Sequence, residues 1–517
     1  MNRTLRLLVA TALATAALPT HAANRSEQSI DKPNIVLIMA DDFGPGDVGR
    51  QHQERTGKPA LSPTPTLDAL AEEGMWFTDA HSPTSLCSPS RYAVMTGNYN
   101  YRSYAPWGVW GTFRPTAITK DDATLGTVTK DGGYTTGFIG KWHLGGDFKK
   151  KNTAEIYRGD DRGDEPLNVD MTKWIAYGPQ DMGFDYDYTL PTGVQGPVYV
   201  AFENGVWAPF NEKSKLIHYD KTTAKDPFFV SDKGPGTGDS EWDSYEINKI
   251  LAAKATGFIH RSAKQEAPFF LCYWSPAVHI PHTPPVELDG IKIRGTTPSH
   301  HTDMNRVIDW EVEQIVNALK ETGEYEDSLI IFTADNGGLS DGRAAKAGHF
   351  SNGGLVHGTK NMPEEGGHLV PFIVTWPGVV QANSRSDALI NGTDLVSTIA
   401  SITGAKIKAN QAMDSHNLLD TFLGKNTGTS RQELMLQSGS MNQVMLRQGK
   451  WKLIIQSDHK LTKWDPIGLY NLESNPIESP KSNLINNPEY AAKLKTMVSR
   501  YHEVRNSTAR SEPLSSK

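Results

Sequence analysis

Oxygen-bearing side chains follow two apolar runs of the sequence, close to the point where each run ends. Asp41 and Asp42 come directly after one run, and Asp335 and Asn336 come after another. Both runs are apolar throughout, which is typical of buried parallel strands, and open α/β sheets carry their sites at the carboxyl ends of such strands. Carboxylate and amide oxygens favour Ca²⁺ or Mg²⁺ over zinc. Taken alone, the Asp pair also fits a helix cap or turn, and Asp-Asn-Gly-Gly also fits a hairpin turn.

A second reactive group lies in the eleven-residue segment from Cys87 to Gly97, C-S-P-S-R-Y-A-V-M-T-G. Pro89 suits the first turn of a helix, and Gly97 suits the position that ends it. This helix would place Cys87 at its N-terminus, where free amide groups and the helix dipole favour an anion. The alternative is an ordinary buried or reactive thiol.

The same segment resembles, position for position, the Cys-x-Pro-Ser-Arg-x-x-x-x-Thr-Gly signature of the type I sulfatases, which belong to the alkaline-phosphatase-like superfamily. In that family the cysteine is oxidised during export to formylglycine, an aldehyde that acts as its hydrate. The resemblance implies that Cys87 becomes formylglycine and that a formylglycine-generating maturation enzyme acts on the chain. It extends from about Lys32 to Gly404, and a match of this length is highly specific.

Three further segments resemble sulfatase motifs in the expected order. They are Gly140–Gly145 (G-K-W-H-L-G), Val278–Pro281 (V-H-I-P), and Lys360 followed by Glu365–Gly367 (E-G-G). The family usually continues the last motif with Arg-Val-Pro, whereas this chain has His368–Pro371 (H-L-V-P). The role of that arginine is therefore open here, while the lysine of the motif is retained.

The resemblance also implies a metal site. A single Ca²⁺, with Mg²⁺ as the weaker choice, would neutralise charge on the sulfate ester and favour ionisation of the nucleophile. Its ligands would be the strand-end oxygen donors together with the modified cysteine: Asp41, Asp42, Asp335, Asn336 and Cys87.

The remaining catalytic roles are likewise those that the resemblance implies. Arg91 and Lys141 would hold the aldehyde hydrate, and Lys360 and His279 would contact the sulfate oxygens. His279, alone or together with Lys360, would act as the general acid on the leaving oxygen. His143 would then take a proton from the second hydroxyl of the hydrate, so that sulfate is released and the aldehyde returns. A serine or an unmodified cysteine has no second hydroxyl for this last step.

Two residues compete with these assignments. His282 also flanks Pro281, but the distance of His279 from the strand Phe269–Trp274 matches the family better. Cys272, the second of only two cysteines, lies within that strand. We expect it to be an inert core thiol, since a disulfide between it and Cys87 would block the modification.

The elements that must position these residues follow from an alternation of apolar runs and helical patterns. The predicted strands are Asn34–Ala40, Tyr134–Ile139, Phe269–Trp274, Ser328–Thr333 and Phe372–Trp376. The predicted helices are Pro65–Glu73, Ile247–Ile259, Asp303–Thr322 and Leu395–Ile402. This alternation predicts an α/β fold with a large mixed, mostly parallel sheet sandwiched by helices. The resemblance names it as the alkaline-phosphatase-like sulfatase fold.

The pattern changes near the end of the chain. From about residue 433 the predicted strands are short and successive, and a helix follows at Glu489–Tyr501. We therefore predict a catalytic domain over residues 32–430, with a loop-rich insertion at about 145–243. A smaller C-terminal α+β subdomain of antiparallel sheet and helix would cover residues 431–517.

The first 22 residues have the composition of a signal peptide. Arg3 and Arg6 precede the apolar run Leu7–Leu18, and small residues stand at the end of Thr20–Ala22. The run is too short to span a bilayer, so we expect no membrane anchor and an exported, periplasmic or secreted protein. The 517-residue chain has a formal net charge of −7 and no long basic run, which argues against nucleic acid as a partner. The sequence leaves the oligomeric state unknown.

The substrate is the least determined property. The insertion is rich in aromatic residues, which suits stacking on sugar rings but equally suits a loop core. Export and the sulfatase resemblance together favour a sulfated polysaccharide or oligosaccharide, such as a carrageenan-like galactan or a glycosaminoglycan. The alternatives are a phosphomonoester or phosphodiester hydrolase of the same superfamily, and a non-catalytic carbohydrate-binding relative. The superfamily's phosphatases commonly use Ser or Thr with two zinc ions, which the Cys87 segment does not match.

Overall fold

Twenty strands form in the residues that the computed structural model describes, which are 32–163, 168–194, 196–225, 234–425, 431–439, 442–458 and 463–507. The predicted signal peptide lies outside these residues. The strands are β1 (Asn34–Ala40), β2 (Met75–Phe77), β3 (Ala80–His81), β4 (Thr135–Lys141), β5 (Tyr186–Leu190), β6 (Ala201–Glu203), β7 (Val206–Ala208), β8 (Leu216–Tyr219), β9 (Gly236–Asp239), β10 (Phe269–Trp274), β11 (Glu287–Leu288), β12 (Ile291–Lys292), β13 (Ser328–Ala334), β14 (Ile373–Thr375), β15 (Ser384–Ser386), β16 (Ile390–Asn391), β17 (Glu433–Gln437), β18 (Gln443–Gln448), β19 (Trp451–Ser457) and β20 (Trp464–Asn471).

The α-helices of the same residues cover the sheets. They are α1 (Gly49–Thr56), α2 (Pro65–Glu73), α3 (Cys87–Thr96), α4 (Leu125–Asp131), α5 (Ile247–Ser262), α6 (His300–Thr322), α7 (Gly342–Lys346), α8 (Leu395–Thr403), α9 (Leu419–Phe422) and α10 (Ala491–Asn506). Within the described ranges, none of them combines the length and apolar composition that crossing a bilayer requires.

Ten of the strands form one mixed sheet in the order β15-β2-β14-β13-β1-β10-β4-β5-β6-β7. Its five central strands, β13-β1-β10-β4-β5, are all parallel to their neighbours. The flanking strands β14, β6 and β7 pair antiparallel. The prediction of a large mixed, mostly parallel sheet is therefore confirmed.

Strand β1 explains why the sheet needs helices on both faces. Ile35, Leu37 and Met39 pack into a core with apolar residues of α3, α4 and α8. Val36 and Ile38 point to the other face and pack with residues of α2, α5 and α6. All five side chains are fully buried, and burying each contributes roughly 1.5–3 kcal/mol. A strand that is apolar on both faces is thus fixed in the middle of the sheet.

The insertion contains more regular structure than the sequence pattern predicts. It holds β5 to β9, and β5 extends the parallel part of the large sheet beside β4. Several of its aromatic side chains, including Trp174, Phe184 and Tyr199, are buried in the two cores. For these residues the loop-core interpretation is therefore correct, and stacking on sugar rings is not available to them.

The C-terminal residues form a separate four-stranded antiparallel sheet, β17-β18-β19-β20, packed against α10. Leu446, Leu453 and Leu469 of the sheet form a core with Met497 and Tyr501 of the helix. The predicted smaller antiparallel subdomain is confirmed as an architecture. The division of the chain at about residue 430 stays a prediction.

Candidate active site

Four neighbouring parallel strands end at the same edge of the sheet and deliver polar residues there. The pairing of Ala40 with Ala334 places Asp41 beside Asp335, whose amide donates to the carbonyl of Ala40 at 3.0 Å. Lys141 is the last residue of β4. The position of the site at the carboxyl ends of parallel strands follows from the topology.

Asp42 turns the chain sharply at the end of β1. Its backbone has φ +63°, a left-handed conformation in which Asp is among the better tolerated residues. Its amide donates to Oδ1 of Asp335 at 3.2 Å, and its own carboxylate accepts from Nδ2 of Asn336 at 2.8 Å. These bonds bring the predicted ligands of the two strands together. Asp335–Gly338 is not a hairpin turn, because the next strand, β14, begins only at Ile373.

Cys87 is the first residue of α3, as the sequence predicts, and Gly97 ends that helix with φ +68°. The thiol Sγ lies 3.4 Å from Oδ1 of Asp41 and 3.9 Å from Oδ1 of Asp42. Burial, and then the charge of Asp41, raise the pKa of the Cys87 thiol. The unmodified side chain is therefore held as a neutral thiol, which is a poor nucleophile.

Two fully buried cations lie beneath Cys87. The Arg91 guanidinium pairs with Asp335 at 2.7 Å and with Asp41 at 3.3 Å, and it also donates to the carbonyl of Lys141 at 3.1 Å. The Lys141 ammonium contacts Asp41 at 2.5 Å. Breaking such buried pairs leaves an uncompensated charge, so both cations are fixed in place by the carboxylates around them.

Lys360 and His279 face Asp42 from two other loops. The Lys360 ammonium lies 2.6 Å from Oδ1 of Asp42, and Nε2 of His279 lies 3.8 Å from Oδ2. The other ring nitrogen of His279, Nδ1, is 2.6 Å from the carbonyl of Ile280. That contact assigns the proton of a neutral ring to Nδ1 and directs Nε2 towards Asp42.

The carboxylates of the site have divergent acidities. Burial raises the pKa of Asp41, but the charge of Lys141, followed by those of His279 and Arg91, outweighs it and holds the net pKa well below the usual value. Burial also raises the pKa of Asp42, but the charge of Lys360 and, after it, that of His279 outweigh burial, so the net pKa is lowered. Burial and then the charge of Asp41 raise the pKa of Asp335. The third carboxylate therefore lacks sufficient positive charge nearby.

A divalent cation fits this arrangement. Oδ1 of Asn336 is buried and has no hydrogen-bond partner within the described part of the chain. One donor atom from each of Asp41, Asp42, Cys87 and His279 lies within 4.8 Å of all the others. Oxygen donors predominate, which suits a hard cation, and its charge would stabilise the ionised form of Asp335. The cluster contains three of the five predicted ligands, Asp41, Asp42 and Cys87, together with His279, and the metal site stays a prediction.

His143 lies on the other side of Cys87, in the loop after β4. Its backbone has φ +58°, and its carbonyl accepts a hydrogen bond from Oγ of Ser88 at 2.7 Å. Burial, and then the charges of Lys141 and Arg91, lower the pKa of His143 well below its usual value. The ring is therefore a neutral base, held next to the start of α3 by the second residue of the signature.

His282 and His279 lie in different surroundings. Its ring lies against that of His301, with 5.1 Å between the centroids, whereas His279 lines the same pocket as Cys87. Burial, and then the charge of Lys360, lower the pKa of His279 to about 3, so its ring is neutral near pH 7. An arriving sulfate anion would raise that pKa by favouring the imidazolium.

The site opens into a pocket of about 580 Å³. We call its base, formed by Cys87, His143, His279 and Lys360 with the carboxylates and cations beneath them, the catalytic floor. Residues 109–114 and 159–162 line another part of the pocket, which we call the pocket wall. Sequence reasoning missed the charged wall residues Arg114, Asp161 and Arg162, because they lie in aperiodic segments that match no motif.

The loop carrying Lys360 is fixed against the metal-ligand turn by its backbone. The amide of Lys360 donates to the carbonyl of Gly338 at 3.0 Å, and the amide of Gly337 donates to that of Gly367 at 2.9 Å. A Cβ on Gly337 would lie 2.1 Å from the carbonyl oxygen of Gly366. This close approach explains why glycines stand on both sides of it.

Basic side chains of the C-terminal sheet neutralise the carboxylate of the E-G-G motif. Glu365 pairs with Lys452 of β19 and with Arg447 of β18, each at 3.0 Å. His368, which replaces part of the usual Arg-Val-Pro continuation, is buried with its Nε2 3.0 Å from the Lys452 ammonium. Lys452 also contacts Glu478 at 2.8 Å. In this chain, therefore, the cations beside the motif come from two strands of the small sheet.

Fold and site together define a class of protein. A parallel-sheet edge carries buried oxygen donors for a hard cation, together with a buried arginine and lysine that pair with them. A helix N-terminal Cys, a second lysine and two histidines line one pocket above them. These are the components of a hydrolase of anionic esters with the alkaline-phosphatase-like architecture.

Comparison with known proteins defines the family. The model of the family described as Sulfatase matches residues 33–405, and the chain belongs to that family, whose members hydrolyse sulfate esters. The N-acetylgalactosamine-6-O-sulfatase of Bacteroides thetaiotaomicron is 29% identical over 511 residues, covering 91% of this chain and 93% of the relative.

Solved structures give the same result for the fold. A sulfatase structure from a study of glycosaminoglycan metabolism by Bacteroides thetaiotaomicron superimposes with a TM-score of 0.76 at 27% identity, covering 92% of this chain and all of that one. A sulfatase from Pseudoalteromonas sp. has a TM-score of 0.65 at 22% identity, covering 93% of this chain and 92% of that one. The predicted sulfatase fold is confirmed.

Proposed function

We propose that this sulfatase removes sulfate from sulfated carbohydrate, using a formylglycine formed from Cys87 and a bound Ca²⁺. The observation that carries the proposal is the position of Cys87. Its Sγ stands at a helix N-terminus, 3.4 Å from Asp41, on the floor of a pocket that Lys360 and two histidines also line. The overall reaction converts R–O–SO₃⁻ and water to R–OH and HSO₄⁻.

When bound, Ca²⁺ would supply a Lewis acid at the oxygen donors of Asp41, Asp42, Asp335 and Asn336, and the aldehyde hydrate at position 87 would supply the nucleophile. The protein's own residues supply the rest of the electrostatic stabilisation. Such preorganised charge is usually the largest contribution to catalysis.

Arg91 and Lys141 hold the group at position 87 from beneath, since both are fixed by Asp41. The Lys360 ammonium binds sulfate oxygens at the pocket side of Asp42. His279 carries a proton on Nε2 once the anion has raised its pKa, and delivers it to the leaving sugar oxygen. His143 is kept neutral by burial and its cationic neighbours. It accepts the proton of the second hydroxyl at position 87, so that sulfate is released and the aldehyde returns.

The substrate proposal rests on the relative that matches almost the whole chain. Because the alignment with the Bacteroides thetaiotaomicron N-acetylgalactosamine-6-O-sulfatase includes the insertion as well as the motifs, the first substrate to try is a 6-O-sulfated N-acetylgalactosamine residue. Sulfated galactans form the comparison class.

The test is desulfation of a defined glycan panel by protein matured with a formylglycine-generating enzyme. Intact-mass analysis of the Cys87 peptide accompanies it, so that an inactive preparation is recognised. We expect sulfate release from at least one sulfated sugar and loss of release after chelation, with recovery on adding Ca²⁺. Matured protein that releases phosphate but not sulfate, or that contains two Zn²⁺, would contradict the proposal.

We also propose that the chain is exported to the periplasm or the medium after removal of residues 1–22. The support is the Arg3 and Arg6 charges ahead of the short apolar run Leu7–Leu18. N-terminal mass analysis of protein recovered outside the cytoplasm should give Ala23 as the first residue. A retained Met1 in active protein would contradict export through a cleaved signal.

A further inference from the structure

We propose that Arg114 and Arg162 form a second anion-binding subsite on the pocket wall. It would hold a carboxylate or a second sulfate that the substrate carries in addition to the sulfate being removed. This inference rests on the proposed function, because it requires a sulfated carbohydrate as substrate. It deepens that function by naming the substrate class as sugars with at least two anionic groups.

The two arginines belong to segments that are joined to each other. The guanidinium of Arg158 donates to the carbonyls of Phe113, at 3.4 Å, and Gly146, at 3.3 Å. The amide of Gly146 in turn donates to the carbonyl of Arg114 at 3.0 Å. These bonds tie the segment holding Arg114 to the chain just ahead of Arg162, so both side chains line the pocket from one connected wall.

A glycine marks the closest approach of the two segments. A Cβ on Gly111 would lie 2.7 Å from Oδ2 of Asp161, so the absence of a side chain there lets the Asp161 carboxylate reach the pocket. Burial, and then the neighbouring Asp160, raise the pKa of Asp161, while Arg162 opposes them. Asp161 is thus placed to accept hydrogen bonds from sugar hydroxyls beside the arginines.

The charges of the wall differ from those of the floor. Arg91, Lys141 and Lys360 are each paired with floor carboxylates, and Arg158 is paired with Asp147. Arg114 and Arg162 are exposed, and in the described ranges neither forms an ion pair with a carboxylate. A planar guanidinium donates two parallel hydrogen bonds to a carboxylate or sulfate, and neither arginine is required to neutralise the floor.

The experiment compares Arg114→Ala, Arg162→Ala and the double variant on paired substrates. One substrate is a sulfated monosaccharide with a single anion, and the other is a disaccharide with the same sulfated sugar linked to a uronate. A carboxyl-reduced disaccharide and a disulfated one identify which anion is read. Arg385→Ala is the matched control, because Arg385 is an exposed arginine on β15, outside the pocket lining.

We expect each wall variant to lose kcat/KM by about 10- to 100-fold on the two-anion substrates, as for loss of a charge-assisted hydrogen bond. The loss should be smaller on the single-anion substrate, and most of the difference should lie in KM. The carboxyl-reduced disaccharide identifies a carboxylate if it behaves as a single-anion substrate. The disulfated one identifies a second sulfate if it alone is sensitive to the wall variants.

Equal losses on both substrate types, or losses no larger than those of Arg385→Ala, would overturn the subsite while leaving the proposed function intact. Failure of matured wild-type protein to desulfate any sugar would overturn both. Binding of the two-anion product to inactive Cys87→Ala protein, measured by calorimetry, gives an independent readout. Its affinity should fall in the Arg114→Ala and Arg162→Ala backgrounds and not in the Arg385→Ala background.

Discussion

The catalytic floor and the pocket wall border the same cavity but are built differently. Floor residues stand at strand ends, in the first half of α3, or in the loops that carry His143, His279 and Lys360, and their charges are buried and mutually paired. Wall residues 109–114 and 159–162 lie in connecting segments, and Arg114 and Arg162 are exposed. The difference indicates that chemistry is fixed by the sheet, whereas recognition is assigned to loops that can change without disturbing it.

Each charge of the catalytic floor therefore depends on buried partners of opposite charge, whereas the arginines of the pocket wall are solvated and need no such partner. Removing a floor charge leaves an opposite charge buried, whereas removing a wall charge leaves a solvated side chain.

Replacing Cys87 with Ala should abolish turnover, with a loss of about 10⁴-fold or more, as for removal of a catalytic nucleophile. The melting temperature of the Cys87→Ala variant should change little, because the side chain is small. Cys272→Ala is the matched control, since Cys272 is the other buried free thiol and lies in the β10 interior. Comparable losses in the two variants would mean that the floor depends on packing rather than on position 87.

Replacing Lys452 with Met should lower the free energy of unfolding by about 3–5 kcal/mol, because Glu478 would remain buried without its cation and Glu365 would keep only Arg447. Urea denaturation measures this directly. Lys450→Met is the control, since Lys450 pairs with Glu473 at the surface, where an ion pair contributes less than about 1 kcal/mol. Similar small effects in both variants would show that the floor is not held by the C-terminal sheet.

Replacing His279 with Gln should reduce kcat by about 10²- to 10³-fold, the range for loss of a general acid. His282→Gln should change kcat by less than about threefold, because its ring packs against His301. The loss of kcat in His279→Gln should be smaller on a substrate with an activated phenol as leaving group, since the oxygen of such a phenol needs less protonation to leave. The reverse ranking of the two variants would move the acid to His282.

His282 should also make the free energy of unfolding depend on pH. Burial, and then the charge of His301, lower the pKa of His282 from 6.5 to about 4. Between those values the unfolded chain binds the extra proton, so the free energy of unfolding falls as pH falls, by up to about 1.4 kcal/mol per unit for this group.

His282→Gln should flatten that fall in urea denaturation between pH 7 and 5. His260→Gln should leave it unchanged, because His260 is exposed on α5. An unchanged slope in His282→Gln would mean that the other buried histidines account for the whole acid-side loss.

Much of the fold could be predicted from sequence because its central strands are apolar on both faces. The predicted bounds of β1 and β10 agree with the structure, and so do those of α2, which Gly74 follows. The strands of the insertion were missed, since β6 and β7 have only three residues each. So short a segment has too few residues for a period to be recognised, and its pairing with distant strands decides its structure.

In the candidate site, too, residues of local motifs could be predicted, whereas residues brought together by long-range contacts could not. The ten predicted floor residues are brought together by the structure, and each of them belongs to a short contiguous motif that the sequence shows. Their individual roles stay predictions. Arg114 and Arg162 could not be predicted, since their proximity depends on long-range bonds such as that from Arg158 to Phe113, which no local pattern encodes.

The contacts of Lys452 and Arg447 with Glu365 bear on how this enzyme can be shortened or recombined. A fragment ending at residue 430 would retain the buried Glu365 and the partly buried Asp79, which pairs with Arg447 at 2.6 Å, but lose the basic side chains that neutralise them. We expect such a fragment to aggregate on expression. Shuffling between homologues should therefore exchange β18 and β19 together with the Lys360 loop, as a single inherited block.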